Sequence, residues 1–190
     1  ISVKKYYGKG VELRGKNLTI VGFGRIGQSL AEYAIGCGMN VTAVDMFTEP
    51  RNLSIQLGNG ISASATITPI TSLEEGIKNA DYISLHVPKQ ADGSAVISKK
   101  EFAIMKDGVR IANAARGGVI NEDDLLDALN TGKVAGIALD VFENEPNPRK
   151  ELLNHPRIAC TPHIGAATGE AQDRIGTELA SLIIEKFGTF

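Results

Sequence analysis

Four polar residues each stand just beyond a short apolar run: Arg116, Asp140, Glu145 and His163. An imidazole titrates near working pH, so His163 is suited to give or take a proton. A carboxylate on one ring nitrogen, such as Glu145, would hold the ring, stabilise the imidazolium and leave the other nitrogen to face a substrate. Arg116 offers a planar fork of donors matched to a carboxylate. Together these are the groups that hydride transfer to a 2-oxo acid requires: an acid at the carbonyl oxygen, a cation for the carboxylate and carbonyl, and a partner that orients the acid. Singly, each has a plainer role. Arg116 lies among small residues and can pair with a backbone carbonyl, Glu145 precedes a proline in a solvated loop, and His163 follows Thr161-Pro162 in a turn.

What favours chemistry is the element that opens the chain's ordered pattern. Leu18-Thr-Ile-Val-Gly22-Phe-Gly24-Arg-Ile-Gly27-Gln-Ser-Leu-Ala31 reads as strand, glycine turn and helix, and Val41 to Val44 form a second strand closed by Asp45. Gly22 permits the tight turn, Gly24 lets backbone approach a pyrophosphate, and Gly27 lets the helix pack on the strand. The helix N-terminus then faces phosphate. Asp45 stands where an acid accepts hydrogen bonds from an adenosine ribose and repels a 2′-phosphate, which favours NAD over NADP. With 21 glycines in 190 residues, the glycine spacing alone says little. The flanking β-rich runs, and Ile26, Leu30 and Ala34 at helical spacing, give it meaning.

The rest of the chain keeps alternating. Ala65 to Ile70 reads as a strand, and Ser72-Leu-Glu-Glu75 caps a short helix to about Ala80. Tyr82 to Pro88 reads as a strand, and Ser98-Lys-Lys-Glu101 caps a helix to about Met105. A strand at Val109 to Ala112 runs into Asn113-Ala-Ala-Arg-Gly-Gly118. Asn121 to Asn130 is a helix, Val134 to Phe142 a long strand carrying Asp140, and Arg157 to Cys160 a last short strand. An amphipathic helix runs from Ala167 nearly to the end. Strands alternating with helices predict an α/β fold, a doubly wound parallel sheet in one domain spanning 1–190. In such a sheet ligands gather at the carboxyl ends of the strands, which is where the four polar residues fall. His86, ending a strand at that rim, is expected to line the cofactor pocket; His155, in a polar loop, is read as structural.

Composition sets the outer bounds. Hydrophobic residues make up 43% and charged residues 22%, enough for a substantial core. A net charge of −2 offers no footprint for nucleic acid or an anionic membrane. No apolar run approaches the roughly 20 residues of a membrane span, and no signal peptide opens the chain. Cys37 and Cys160 have neither metal-ligand nor C-x-x-C spacing, which points to buried, inert thiols in a reducing cytoplasm and to no metal site. The chain opens at Ile1 on a lysine-rich stretch, so residues 1–16 read as a lead-in from a longer protein.

Gly22-Phe-Gly-Arg-Ile-Gly27, His86-Val-Pro88, Asn113-Ala-Ala-Arg-Gly117, Ala138-Leu-Asp-Val-Phe-Glu-Asn-Glu-Pro146 and Thr161-Pro-His-Ile-Gly165 follow one another in the order found in the NAD-binding domain of the D-isomer-specific 2-hydroxyacid dehydrogenases. The resemblance spans essentially the whole chain. It implies a Rossmann-type domain that binds NAD, with Arg116, Glu145 and His163 catalytic. It also implies cofactor contacts at Gly22, Gly24, Arg25, Ile26, Gly27, Asp45, His86, Val87, Pro88, Ala114, Arg116, Asp140, His163 and Gly165, with Asp140 meeting the nicotinamide carboxamide. Within the family the motifs resemble those of the members acting on 3-phosphoglycerate, which implies that substrate, a place in serine biosynthesis, a cytoplasmic setting and a homodimer formed through this domain around Asn121 to Ala138. Two departures stand out. Asn121 replaces an aspartate frequent after the Arg-Gly motif, a change expected to touch only helix capping, and the family's substrate domain has no counterpart in these residues. The resemblance also extends to NAD-sensing corepressor-like binding proteins. Formate dehydrogenases share the fold but pair a glutamine with the histidine, and Glu145 speaks against them.

Overall fold

The computed structural model describes residues 10–188, so most of the lead-in, residues 1–9, lies outside the described residues. Six strands form one parallel sheet: β1 (Asn17–Val21), β2 (Asn40–Val44), β5 (Tyr82–Leu85), β6 (Val109–Asn113), β7 (Val134–Leu139) and β8 (Ile158–Cys160), in the order β2-β1-β5-β6-β7-β8. The central strands are apolar on both faces, as a sheet covered on two sides demands. Ile20, Ile83 and Leu85 are all but inaccessible, and removing each side chain from water contributes about 1.5–3 kcal/mol. Thr19 is the polar exception in β1, and its hydroxyl donates to the Gly76 carbonyl at 2.7 Å.

Helices follow the strands. α1 (Arg25–Gly36) runs from the glycine turn with Gly27, Ala31 and Ala34 against the sheet. α2 (Leu73–Lys78) is capped by Ser72, whose hydroxyl accepts the Glu75 N–H. α3 (Lys99–Ile104) is closed by Glu101, whose carboxylate accepts from the Ser98 N–H and hydroxyl. α4 (Glu122–Asn130) is capped by Asn121, which accepts the Asp124 N–H. Asparagine therefore caps here as an aspartate would. A four-residue α5 (Lys150–Leu153) and the long α6 (Gly169–Phe187) complete the set.

The chain leaves β1 toward β2 on one side and later returns through β5 on the other, so the connections that follow β1 and β5 run to opposite sides while the strand ends stay paired. Such a reversal of the connections marks the crevice in which doubly wound folds hold ligands. Gly22 and His86 occupy its two lips. The His86 N–H donates to the Val21 carbonyl at 2.7 Å, and a Cβ on Gly22 would lie 2.4 Å from the His86 carbonyl oxygen.

Several expectations are corrected. The predicted strand from Ala65 to Ile70 is part of an antiparallel hairpin, β3 (Arg51–Gly58) and β4 (Ile61–Ile67), outside the main sheet. Asn59 and Gly60, both at positive φ, form its turn. Leu53 and Ile55 are buried by the hairpin, and the Ser54 N–H donates to Glu32 of α1. Only Ile70 joins the sheet, by one parallel bridge to Val44. The predicted strands Tyr82–Pro88 and Val134–Phe142 end earlier, at Leu85 and Leu139, because the backbone turns outward to build the rim. Cys37 and Cys160 are both exposed rather than buried. Cys37 lies just beyond α1, and Cys160 ends the edge strand, so among the described residues neither has an element to cover it.

One sheet face packs Ile83, Leu85, Ile111, Ile137 and Leu139 into the core with α4 residues Leu125 and Leu129. The alternate face places Ser84, Ala112, Ala138 and Ala159 side by side across four strands. It opens into an apolar trough of about 660 Å³ bordered by Tyr33 and Cys37. α6 buries none of its residues, and Ile175, Leu179, Leu182 and Ile183 are exposed along it.

Candidate active site

β7 ends at Leu139 and delivers Asp140 and the loop that carries Glu145; β8 ends at Cys160 and delivers His163. These two loops meet. His163 Nδ1 lies 2.7 Å from Glu145 Oε2, with both side chains partly open to solvent. The other Glu145 oxygen accepts the Phe142 N–H at 2.9 Å. The His163 bond, helped by the Phe142 amide, holds the Glu145 carboxyl below its ordinary range. The pair can therefore fix the ring through Nδ1 and leave Nε2 to exchange a proton.

His163 sits at φ 56°, a left-handed conformation that histidine tolerates better than most residues. Asp140 secures the turn around it. Asp140 Oδ1 accepts the Thr161 hydroxyl at 2.6 Å and the Ile164 N–H at 2.9 Å, and Oδ2 accepts the Gly165 N–H at 2.8 Å. Burial alone would raise this carboxyl's pKa, but the three donors outweigh it and hold the group below the usual range. Asp140 and Gly165 thus occupy the floor of the His163 turn, and Thr161, which opens the Thr161-Pro-His-Ile-Gly165 motif with no role assigned to it there, is the hydroxyl donor that ties the turn to Asp140.

Arg116 follows β6. Asn113, buried at the strand end, closes its loop by accepting the Ala115 N–H and donating to the Arg116 carbonyl. The guanidinium is exposed and donates to the Ala115 carbonyl at 2.6 Å; among the described residues it makes no hydrogen bond to His163 or Glu145. Its loop is nevertheless pressed against theirs, since a Cβ on Gly117 would lie 1.8 Å from the Phe142 carbonyl oxygen.

The residues read as cofactor contacts gather around the crevice. Ile26, His86, Val87, Pro88, Ala114 and Arg116 line one cleft of about 230 Å³. His86 Nε2 and the Ser84 hydroxyl are 2.9 Å apart, and burial pushes the imidazole's pKa down, favouring the neutral ring. Gly27 admits no side chain, since its Cβ would lie 2.3 Å from the Gly22 carbonyl oxygen; Gly24 has nothing within 4 Å of such an atom. That open side, beside a helix N-terminus whose first-turn N–H groups lack helical partners, is the room a dinucleotide pyrophosphate needs. Asp45 stands at the end of β2, one carboxylate oxygen accepting the Phe23 N–H at 2.6 Å and the other the Phe47 N–H at 3.0 Å. Arg25 makes a two-pronged bond to Glu178 of α6, at 3.0 and 3.2 Å. The residues present therefore fit NAD. No group of three or more His, Cys, Asp or Glu placed to hold a metal occurs among the described residues.

Comparison with known proteins identifies the family of the chain. The family described as "D-isomer specific 2-hydroxyacid dehydrogenase, NAD binding domain" matches residues 3–165. The chain is 40% identical over 183 residues to a hydroxypyruvate reductase of Thermotoga maritima, covering 95% of this chain and 56% of that protein. It is 41% identical over 177 residues to a D-3-phosphoglycerate dehydrogenase of Bacillus subtilis, covering 93% of this chain and 32% of that one. Among solved structures, D-mandelate dehydrogenase of Rhodotorula graminis superposes with a TM-score of 0.81 at 32% identity, over 96% of this chain and 51% of that chain. The chain thus spans about half, or less, of the length of these relatives.

Proposed function

Because the chain belongs to the D-isomer-specific 2-hydroxyacid dehydrogenase family, as its NAD-binding domain, we propose that it carries the proton-transfer half of an NAD-dependent interconversion of 2-hydroxy and 2-oxo acids. NAD, when bound, supplies the hydride chemistry. In the direction of reduction, His163 gives a proton from Nε2 to the substrate's carbonyl oxygen as the carbonyl carbon is reduced. In oxidation it takes the proton back. Glu145 holds the ring through Nδ1 and balances its positive charge, Arg116 receives the substrate carboxylate, and Asp140 fixes the turn that presents His163. Asp45 is the ribose acceptor that selects NAD, and the cleft lined by Ile26, His86, Val87, Pro88 and Ala114 receives the nicotinamide end.

The contact that carries this reading is the 2.7 Å approach of Glu145 to His163, which joins residues from two separate loops. The similarity to a phosphoglycerate dehydrogenase supports 3-phosphoglycerate as the substrate, with hydroxypyruvate the competing choice. Steady-state assays of the full-length protein with both acids, beside calorimetry with NADH, test it. The reading predicts NADH binding and turnover of one of these acids; tight NADH binding with no turnover of any 2-oxo acid would overturn it. We place the protein in the cytoplasm, where its two free thiols stay reduced. We further propose a homodimer through this domain. The segment from Asn121 to Ala138 contributes Gly136 and Ala138 to the open apolar trough, and sedimentation at about twice the 20.2 kDa chain mass is expected.

A further inference from the structure

Glu122 opens α4 and is 5% exposed. An acid in the first turn of a helix interacts favourably with the helix dipole without being buried; the next residue, Asp123, does so with its side chain 80% exposed and paired to Arg149. Burial of Glu122 therefore needs another reason. Its Oε1 accepts the Glu143 N–H at 2.8 Å, and its own N–H donates to Glu143 Oε1 at 3.3 Å. Its Oε2 is buried and has no hydrogen-bond partner among the described residues. Removal from water pushes its pKa up against the opposing pull of the Glu143 amide. A buried acid with one orphaned oxygen is a cost that helix capping does not explain.

The Glu143 amide belongs to the loop that aims the catalytic pair. Two residues later in that loop, Glu145 divides its oxygens between the Phe142 N–H and His163. One side of the loop is fixed by Gly117 against the Phe142 carbonyl; the other is fixed by Glu122. We propose that Glu122 is a positioning residue for the Glu145–His163 pair: by accepting the Glu143 N–H it holds the loop so that the Glu145 carboxylate is aimed at the ring. The inference rests on the proposed role of that pair, and the experiment separates the two.

The readout is the titration of the Glu145 carboxyl, followed by carbon NMR in this chain. The groups facing Glu145 are His163 and Asp140; those facing Glu122 are Glu143, Asp123 and Arg149. His163→Ala is the control, removing the largest cause of the lowered Glu145 value, and should raise it. Glu122→Met keeps the length and bulk of the side chain and removes the acceptor. It is expected to raise the Glu145 value most of the way to that of His163→Ala. Removing a nearby negative charge would by itself lower that value, so the expected rise is opposite in sign to a through-space effect. Glu122→Gln, whose amide oxygen still accepts the Glu143 N–H but which carries no charge, should show no such rise, its Glu145 value lying at or slightly below that of wild type.

If His163→Ala raises the Glu145 value and Glu122→Met does not, the positioning role is overturned and the pair stands. If Glu122→Gln moves the titration as far as Glu122→Met, acceptance from Glu143 is not the cause and the inference fails. If His163→Ala leaves Glu145 unmoved, the pair itself is refuted. Should Glu122→Met not give a folded, NADH-binding chain, Glu122→Asp carries the same test. It keeps the charge but withdraws the acceptor by one methylene, so a raised Glu145 value supports the role and an unchanged one overturns it.

Discussion

His163 Nδ1 and Glu145 Oε2 stand 2.7 Å apart across two loops that leave neighbouring strands, β8 and β7. Since the carboxyl is held low by that bond, the contact contributes stability above the ordinary glutamate pKa and loses it as pH falls through the lowered folded value. Both side chains are partly open to water, so its share of stability is small, on the order of 1 kcal/mol or less. In the proposed function its weight lies in catalysis. In the full-length protein His163→Ala should lose about two to four decades of turnover and Glu145→Gln should lose less, with NADH affinity preserved in both. Near-normal turnover by His163→Ala would require another proton donor.

Much of this site was legible because its residues follow apolar runs that can only be buried strands. Val109 to Ala112 had to lie in the sheet, so Arg116 had to fall at its rim; the same holds for Asp140 after β7 and His163 after β8. What the sequence concealed are partnerships between loops. Nothing in Asn121-Glu122 announces that Glu122 turns inward to the Glu143 amide, since an acid at that position serves equally well exposed. Nor does the sequence show that Asp140 takes three donors, since they come from a segment more than twenty residues away. The hairpin from Arg51 to Ile67 did carry a signal, Asn59-Gly60 between alternating apolar residues, which the expectation of strict strand and helix alternation overrode.

Asp140 tests how far the His163 turn depends on one carboxylate. Asp140→Ala strips the acceptor from three donors and should cost roughly 1–3 kcal/mol. The folded pKa is depressed, so the contribution is fully present above the unfolded aspartate value of about 3.9 and disappears as pH falls through the folded one. Thermal denaturation across that range should show wild type and Asp140→Asn converging in acid. A gap that stayed constant with pH would show that packing, not the ionised carboxylate, holds the turn.

Asp45 would have two duties in the proposed function, since the oxygens it would offer to a ribose also take the Phe23 and Phe47 amides. Asp45→Ala should weaken NADH binding and relax discrimination against NADPH by removing acceptor and repulsive charge together. Asp45→Asn keeps one acceptor and removes the charge alone. Fluorescence titration with both nucleotides should show the two affinities drawing together in each variant, with the smaller loss of NADH affinity in Asp45→Asn. Selectivity unchanged in both would assign cofactor choice to another group.

The glycines of the first turn separate folding from binding. Gly22 has φ 93° and would place a Cβ 2.4 Å from the His86 carbonyl oxygen, so Gly22→Ala must move β5 against β1 and should lower the melting temperature as well as NADH affinity. Gly24 has a negative φ, −74°, and nothing lies within 4 Å of the place a Cβ would take. Gly24→Ala should therefore leave the melting temperature of the free chain nearly where it was while weakening NADH, because its methyl group intrudes only where the pyrophosphate lies against the helix N-terminus. Melting curves with and without saturating NADH read both effects at once: Gly24→Ala should match wild type without the nucleotide and gain less from it. If Gly24→Ala gains as much as wild type, the dinucleotide does not approach this backbone, and the phosphate site must be sought elsewhere along the rim.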